Sequence, residues 1–259
     1  MTTRDDTIQR GPVAIKNVAA FMVMTTTLIN RESHLPGFGV CSGWSGVGKS
    51  WASIFAQNKT EAVRVECGDT WTRRTLLTKI LAEFGLKSAK REPLSDLAER
   101  AIVALGENPR RPLIIDEADR LVDKGMIEVA RELQEFSGAA VILIGEEQLP
   151  RKLERFERVH GRVHCWMQAK ACDLADARVL AQAFAPKLQI ADDLLDEIRI
   201  RSLGRARRIV SSIEDAKDIA RNRNIKSLDL SSWGEQPFRT GLSPKVRDER
   251  EAIKPARAA

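Results

Sequence analysis

The sequence lacks any apolar run approaching the roughly 18 residues that a membrane-spanning helix needs. The longest run near its start, Val18 to Met24, gives way to Thr25, Thr26 and Thr27. It also lacks a secretory opening, because the first ten residues are polar and include Asp5 and Asp6. Both absences predict a cytoplasmic protein with no membrane partner. Cysteine is sparse and carries no Cys-x-x-Cys pair: the four are Cys41, Cys67, Cys165 and Cys172. The three histidines, His34, His160 and His164, do not complete a usual zinc spacing with them. Cys41, Cys67 and Cys165 lie in or beside strand-like runs, where a reduced cysteine behaves as a small buried apolar residue. No internal repeat is present. One further absence is local: Arg199, Arg201, Arg205, Arg207 and Arg208 form a stretch without an acid.

What is present suits a folded α/β protein. A length of 259 residues fits one core, or a core with a small second domain. Hydrophobic residues at 43% and charged residues at 30% argue against wholesale disorder. The net charge of +6 is modest, but its clustering at Arg199–Arg208, Arg73-Arg74 and Lys90-Arg91 predicts an anionic partner: nucleotide phosphate, nucleic acid, or both.

Residues 1–12 read as a flexible leader ending in Gly11-Pro12. Apolar spacing predicts a helix over Val13–Arg31, then strands and helices in alternation. Strands are expected at Phe38–Ser42, Ala62–Cys67, Pro112–Asp116, Ala139–Gly145 and Arg162–Met167. Helices are expected at Lys49–Gln57, Thr75–Phe84, Pro93–Leu105, Asp123–Phe136 and Leu149–Val159. That alternation predicts a parallel five-stranded sheet with helices on both faces, a nucleotide-binding α/β domain over 13–171. Three further helices, Asp173–Phe184, Asp192–Ser202 and Arg205–Asn222, predict a small all-helical lid over 172–226. Residues 227–259, rich in Ser, Pro, Gly and charge, read as a basic, mobile tail.

The strongest chemical signal is Gly43-Trp44-Ser45-Gly46-Val47-Gly48-Lys49-Ser50, which fits Gly-x-x-x-x-Gly-Lys-Ser between a strand and a helix. Its glycines let backbone N–H groups turn around a phosphate chain. Lys49 would reach the β- and γ-phosphates, and the Ser50 hydroxyl would ligate Mg²⁺. Trp51 follows directly, and neither it nor Trp44 is assigned chemistry. The second signal is Leu113-Ile114-Ile115-Asp116-Glu117, an apolar strand ending in two acids. Asp116 would hold Mg²⁺ through water, and Glu117 would polarise the attacking water. A solvated strand end would show the same pair of acids; its place downstream of a phosphate loop favours the catalytic reading.

On these residues the chain resembles an AAA+ P-loop ATPase over roughly 13–225. Within it, residues 144–163, IGEEQLPRKLERFERVHGRV, are similar to the MuB family of Mu-like phage DNA transposition ATPases. The resemblance implies ATP and Mg²⁺ as cofactors and assigns further roles. A polar sensor is usual after the fourth strand; here Glu146 and Glu147 follow Gly145, so Glu146 is the sensor candidate and slow hydrolysis is expected. Arg155, Arg158 and Arg162 lie where arginine fingers reach a neighbouring subunit's nucleotide, with Arg158 and Arg162 preferred. A charged helix face paired as Glu154–Arg158 is the other reading. Gly204-Arg205-Ala206-Arg207 resembles a second sensor, in which Arg207 would contact phosphate within its own subunit; a plain basic helix surface is the other reading there.

The MuB resemblance further implies a homo-oligomer, a helical filament or ring on double-stranded DNA, that stimulates a transposase in a bacterial host cell. It implies a phage or mobile-element origin. Candidate DNA contacts are Arg73, Arg74, Lys87, Lys90 and Arg91, which solvated surface charge would equally explain. The stretch before Phe38 is too short for the N-terminal helix-turn-helix domain of phage Mu's own protein, so DNA binding would fall to the core, lid or tail. Two other classes fit the same motifs: a helicase loader or replication initiator, and a secretion-associated or regulatory ATPase that switches protein contacts without DNA.

Overall fold

The computed structural model describes residues 13–241. The leader at 1–12 and the tail from 242 onward lie outside the described residues. In chain order the first half contains α1 (Lys16–Ile29), β1 (Phe38–Ser42), α2 (Lys49–Thr60), β2 (Val63–Glu66), α3 (Arg73–Glu83), α4 (Leu94–Gly106) and β3 (Leu113–Asp116). Then come α5 (Ala118–Asp123), α6 (Ile127–Ser137), β4 (Val141–Gly145), α7 (Leu149–Leu153), α8 (Glu157–His160) and β5 (Val163–Gln168). The remainder is α9 (Leu174–Phe184), β6 (Gln189–Ile190), α10 (Asp192–Arg201), α11 (Ala206–Arg223), β7 (Ser227–Leu228) and α12 (Leu230–Trp233).

Five strands form one parallel sheet in the order β2-β3-β4-β1-β5, as expected for an α/β core. The period-2 alternation of its strands builds two apolar layers. Cys41, Ile114, Ile142 and Ile144 point to the face covered by α1, α2 and the lid. Val40, Leu113, Ile115, Val141 and Leu143 point to the face covered by α3 to α8. Burial on both faces explains why β1, β3 and β4 are continuous apolar runs. Edge strand β5 is instead half-buried in alternation.

Three elements differ from the sequence expectation. The helix expected over Asp123–Phe136 is two helices, α5 and α6. Gly125 adopts φ 62°, its N–H reaches the Val122 carbonyl at 3.0 Å, and the Met126 N–H reaches Leu121 at 2.9 Å. That pair of bonds is a Schellman stop, which needs a left-handed residue at Gly125. The charged helix expected over Leu149–Val159 is also split, into α7 and α8. Leu149, Leu153 and Val159 are all fully buried. The break falls at Phe156, whose backbone at φ −117°, ψ 72° is not helical, and the chain re-enters a helix at Glu157. The break separates Glu154 from Arg158, so no i,i+4 face joins them.

The third difference is in the lid, which is not all helical. β6 and β7 pair in parallel, Gln189 against Ser227 and Ile190 against Leu228. Strands of two residues give no periodic signal. Residues 227–241, read from sequence as tail, close over the lid instead. Trp233 has 0% exposure, stacks on Phe238 with centroids 5.0 Å apart, and donates from Nε1 to the Gln236 carbonyl at 2.8 Å. Arg239 holds Asp215 with two bonds of 2.7 and 2.9 Å. A buried tryptophan is worth about 3–5 kcal/mol, against a net stability of about 5–15 kcal/mol. That magnitude makes 227–241 part of the lid's packing.

Candidate nucleotide-binding site

β1 ends at Ser42 at the carboxyl edge of the sheet, and the loop Gly43–Gly48 delivers the chain into α2. Gly48 caps that helix at φ 101°, and a Cβ there would meet Ile15 Cδ1 at 3.0 Å. A side chain is strained at this position and crowded by α1 as well. Lys49 curls back over the loop and donates from Nζ to the carbonyls of Gly43 at 2.6 Å and Trp44 at 2.8 Å. Burial lowers the Lys49 ammonium below the ordinary lysine value, opposed by the negative charges of Asp116, Glu117 and Glu146 nearby.

A cavity of about 310 Å³ opens over this loop, within the range of small-molecule sites. Ser45, Gly46, Gly48, Lys49, Ser50 and Trp51 face it, as do Asp116, Glu117, Glu146 and Arg207. The other three loop positions stand apart from it. Val47 is fully buried, Gly43 lies against Ala169, and Trp44 is 54% exposed to solvent. Trp51 meets Phe184 edge-on, with ring centroids 6.0 Å apart.

The acids at the end of β3 differ sharply in environment. Asp116 is 3% exposed and uses both oxygens: Oδ2 accepts from Arg64 Nη2 at 2.7 Å, and Oδ1 accepts from the Glu117 N–H at 3.0 Å. Glu117 stands at φ 56°, ψ 40°, a left-handed backbone that costs a non-glycine residue about 1–2 kcal/mol. Such strain at a cavity mouth points to function. Burial raises the Glu117 carboxyl above the ordinary value; Asp116, Glu66 and Glu146 add to the rise, and Arg120 opposes it from 3.8 Å. Ser50 and Asp116 both line this cavity and supply oxygen donors of the kind Mg²⁺ takes, so the residues fit that ion.

Glu146 is held by Asp119, whose Oδ2 accepts the Glu146 N–H at 2.6 Å while Lys152 Nζ lies 3.3 Å from Oδ1. The preceding Gly145 has no room for a side chain, since a Cβ there would collide with Asp119 Oδ2. The lid reaches the loop through Arg207, whose N–H donates to the Gly46 carbonyl at 3.1 Å.

The remaining candidates lie elsewhere. Arg158 is exposed on α8, and Arg162 bonds the Arg158 carbonyl at 2.7 Å and Glu135 at 3.2 Å; neither faces this chain's own cavity. Arg73, Arg74, Lys87, Lys90 and Arg91 are all exposed, and none makes an ion pair with a described residue. Arg74 donates to the Glu92 carbonyl at 2.6 Å, which draws the start of α3 toward Lys90 and Arg91.

Several residues at the site had no motif to announce them. Val13, Ile15, Leu180, Phe184 and Val210 form an apolar wall of the cavity, drawn from both ends of the chain. Asn17 is buried and bonds Val47 and Lys170 through three hydrogen bonds, pinning the loop to the lid junction. Its polar side chain on the apolar face of α1 was the available signal. Arg120 donates to the Cys67 carbonyl at 2.8 Å and pairs with Asp69 at 2.9 Å, joining α5 to the segment after β2. Arg64 had no signal at all.

A phosphate-type loop between an inner strand and a helix, acids at the end of β3 one strand removed from β1, and a lid docked on that loop define a P-loop NTPase fold. Residues 31–153 match the family model described as an AAA domain, and the α/β fold with its five-stranded parallel sheet is that of an AAA+ core. Among solved structures the chain is similar to the ORC2 protein of Aeropyrum pernix, solved in ADPNP–ADP complexes. That match has a TM-score of 0.70 and 14% identity, covering 96% of this chain and 74% of that one. It is also similar to the ORC1 protein of the same organism in complex with DNA, at TM-score 0.61 and 16% identity, covering 87% and 65%. The RuvB Holliday junction branch migration motor of Thermotoga maritima matches at TM-score 0.54 and 14% identity, covering 89% and 72%. No curated protein sequence matches the chain. No helix of the described residues is long and apolar enough to cross a membrane.

Proposed function

We propose that the protein is an ATPase that binds double-stranded DNA without sequence preference, assembles on it as a filament or ring, and presents it to a partner enzyme. The observation that carries the nucleotide half is that Lys49, Ser50, Asp116, Glu117 and Arg207 open into one cavity. Lys49 and the loop N–H groups would hold the β- and γ-phosphates, and Arg207 would close on them from the lid. Mg²⁺, held by Ser50 and Asp116, would supply charge neutralisation between those phosphates. Glu117 orients the attacking water and takes its proton at a carboxylate oxygen, a role helped by its raised pKa. Glu146 lines the same cavity; as the water-orienting group it would bring negative charge, which favours slow turnover. Glu117→Gln should retain nucleotide binding and slow hydrolysis about a hundredfold. Single-turnover phosphate release is the measurement, and wild-type turnover in the variant would remove Glu117 from the chemistry.

The DNA half is supported by the exposed cations Arg73, Arg74, Lys87, Lys90 and Arg91, and by the similarity to an ORC1 structure that contains DNA. The 144–163 stretch favours a MuB-like partner, a transposase, in a phage or mobile element. The fold shared with ORC2 and RuvB favours the second reading, a replication initiator or helicase loader. One titration tests what both share. Duplex binding should require ATP, ignore sequence, and weaken linearly in log affinity against log salt, because each phosphate neutralised releases counterions. Substituting Lys87, Lys90 and Arg91 by Ala should flatten that slope and leave nucleotide binding unchanged. Absence of ATP-dependent binding at low salt would leave the protein-switch class.

A further inference from the structure

Asp116, which lines the cavity, is bonded to a cation that the protein supplies itself. Arg64 stands on β2, beside β3, with a side chain only 14% exposed against 4% for Asp116. Its Nη2 donates to Asp116 Oδ2 at 2.7 Å and lies 3.3 Å from Glu66 Oε2. Its Nε donates to Ser53 Oγ at 2.7 Å, and Ser53 Oγ in turn donates to the Ser50 carbonyl at 2.7 Å. One chain of hydrogen bonds thus runs from the Asp116 carboxylate through Arg64 and Ser53 to the Ser50 backbone carbonyl, tying together the segments that carry the two residues placed to hold Mg²⁺.

An ionised carboxylate this buried is costly unless compensated. Where a guanidinium already compensates it, a divalent ion adds less and meets a like charge across the same carboxylate. We propose that Arg64 is the built-in counter-ion of Asp116, a positioning residue that weakens the dependence of nucleotide binding on Mg²⁺. The cavity is taken here as the nucleotide site argued above. Without Arg64, Asp116 would be left bare and would recruit the metal in its place.

The test uses the full chain and its Arg64→Met and Arg64→Lys variants. Affinity for a fluorescent ATP analogue is measured in Mg²⁺ and in EDTA, and the thermal midpoint is measured without nucleotide in the same two buffers. The ratio of affinities with and without Mg²⁺ should rise in Arg64→Met by about 10- to 100-fold, the scale on which neighbours of metal ligands tune metal affinity. Arg64→Lys, which retains the charge, should stay near wild type. Without nucleotide, Mg²⁺ should leave the wild-type midpoint unmoved and should restore part of the loss in Arg64→Met. An unchanged ratio, with a loss of stability that Mg²⁺ does not restore, would reduce Arg64 to a structural ion pair. Arg64→Gln serves the same comparison should Arg64→Met fail to fold. A wild-type chain that binds no nucleotide in either buffer would sink the nucleotide reading instead, and the thermal comparison would still judge Arg64.

Discussion

Lys49→Ala should weaken ATP binding on the order of a thousandfold, equivalent to about 4 kcal/mol. Removing one partner of a buried, charge-assisted contact costs about 2–5 kcal/mol, and Lys49 is placed to make several such contacts at once. Its ammonium is at the base of the cavity, bonded to the carbonyls of Gly43 and Trp44, with Asp116, Glu117 and Glu146 around it. Those acids would repel a polyphosphate if the lysine were gone. The loss should therefore exceed that of a single surface cation, which is worth about 0–1 kcal/mol. Equilibrium titration of a fluorescent ATP analogue measures it, with the thermal midpoint as a control for folding. A variant that folds and binds ATP with wild-type affinity would show that the cavity is not the nucleotide site. Lys49→Arg separates charge from shape, because a planar guanidinium cannot reproduce two bonds to adjacent carbonyls from one nitrogen. It should bind more weakly than wild type and more tightly than Lys49→Ala.

What the sequence made legible was local, and what it concealed was long-range. The phosphate loop and the strand ending in Asp116-Glu117 are contiguous, and the structure places most of both on one cavity. β1, β3 and β4 were legible as continuous apolar runs, and the edge strands β2 and β5 as shorter runs interrupted by polar residues. The breaks at Gly125 and Phe156 were not, because a helical period persists on both sides of each. Gly125 was visible as a residue, but its left-handed backbone is set by the packing of Met126 and Ile127 behind it. Arg64 lies 52 positions from Asp116, and Asn17 lies 153 from Lys170. Neither contact has a spacing to detect, since only the strand order brings β2 beside β3 and the lid junction beside α1. The lid's two-residue strands fall below any periodicity, and Trp233, fully buried, looked like part of a polar tail.

Turnover should rise steeply with protein concentration if Arg158 or Arg162 completes a neighbour's site. Both are outside the cavity of their own chain, and the Arg158 guanidinium has no partner among the described residues. Arg158 is exposed on the short helix α8, which leaves it open to a contact made by another copy. An arginine supplied in trans is worth about a thousandfold or more in rate. The doubly substituted Arg158→Ala/Arg162→Ala protein should therefore bind nucleotide normally and hydrolyse it at about the rate of the dilute, unassembled wild type. Arg162 is also tied to Glu135 at 3.2 Å, so Arg158→Ala alone should carry the larger share of the loss. Mixing the double variant with Lys49→Ala should recover part of the activity. In such a mixture the first partner brings an intact phosphate loop and the second an intact pair of arginines, and one complete site forms where they meet. Recovery should peak near equal amounts and vanish on dilution. A rate per subunit that is independent of concentration, with no recovery on mixing, would mean that each chain hydrolyses ATP alone and that Arg158 and Arg162 belong to the surface.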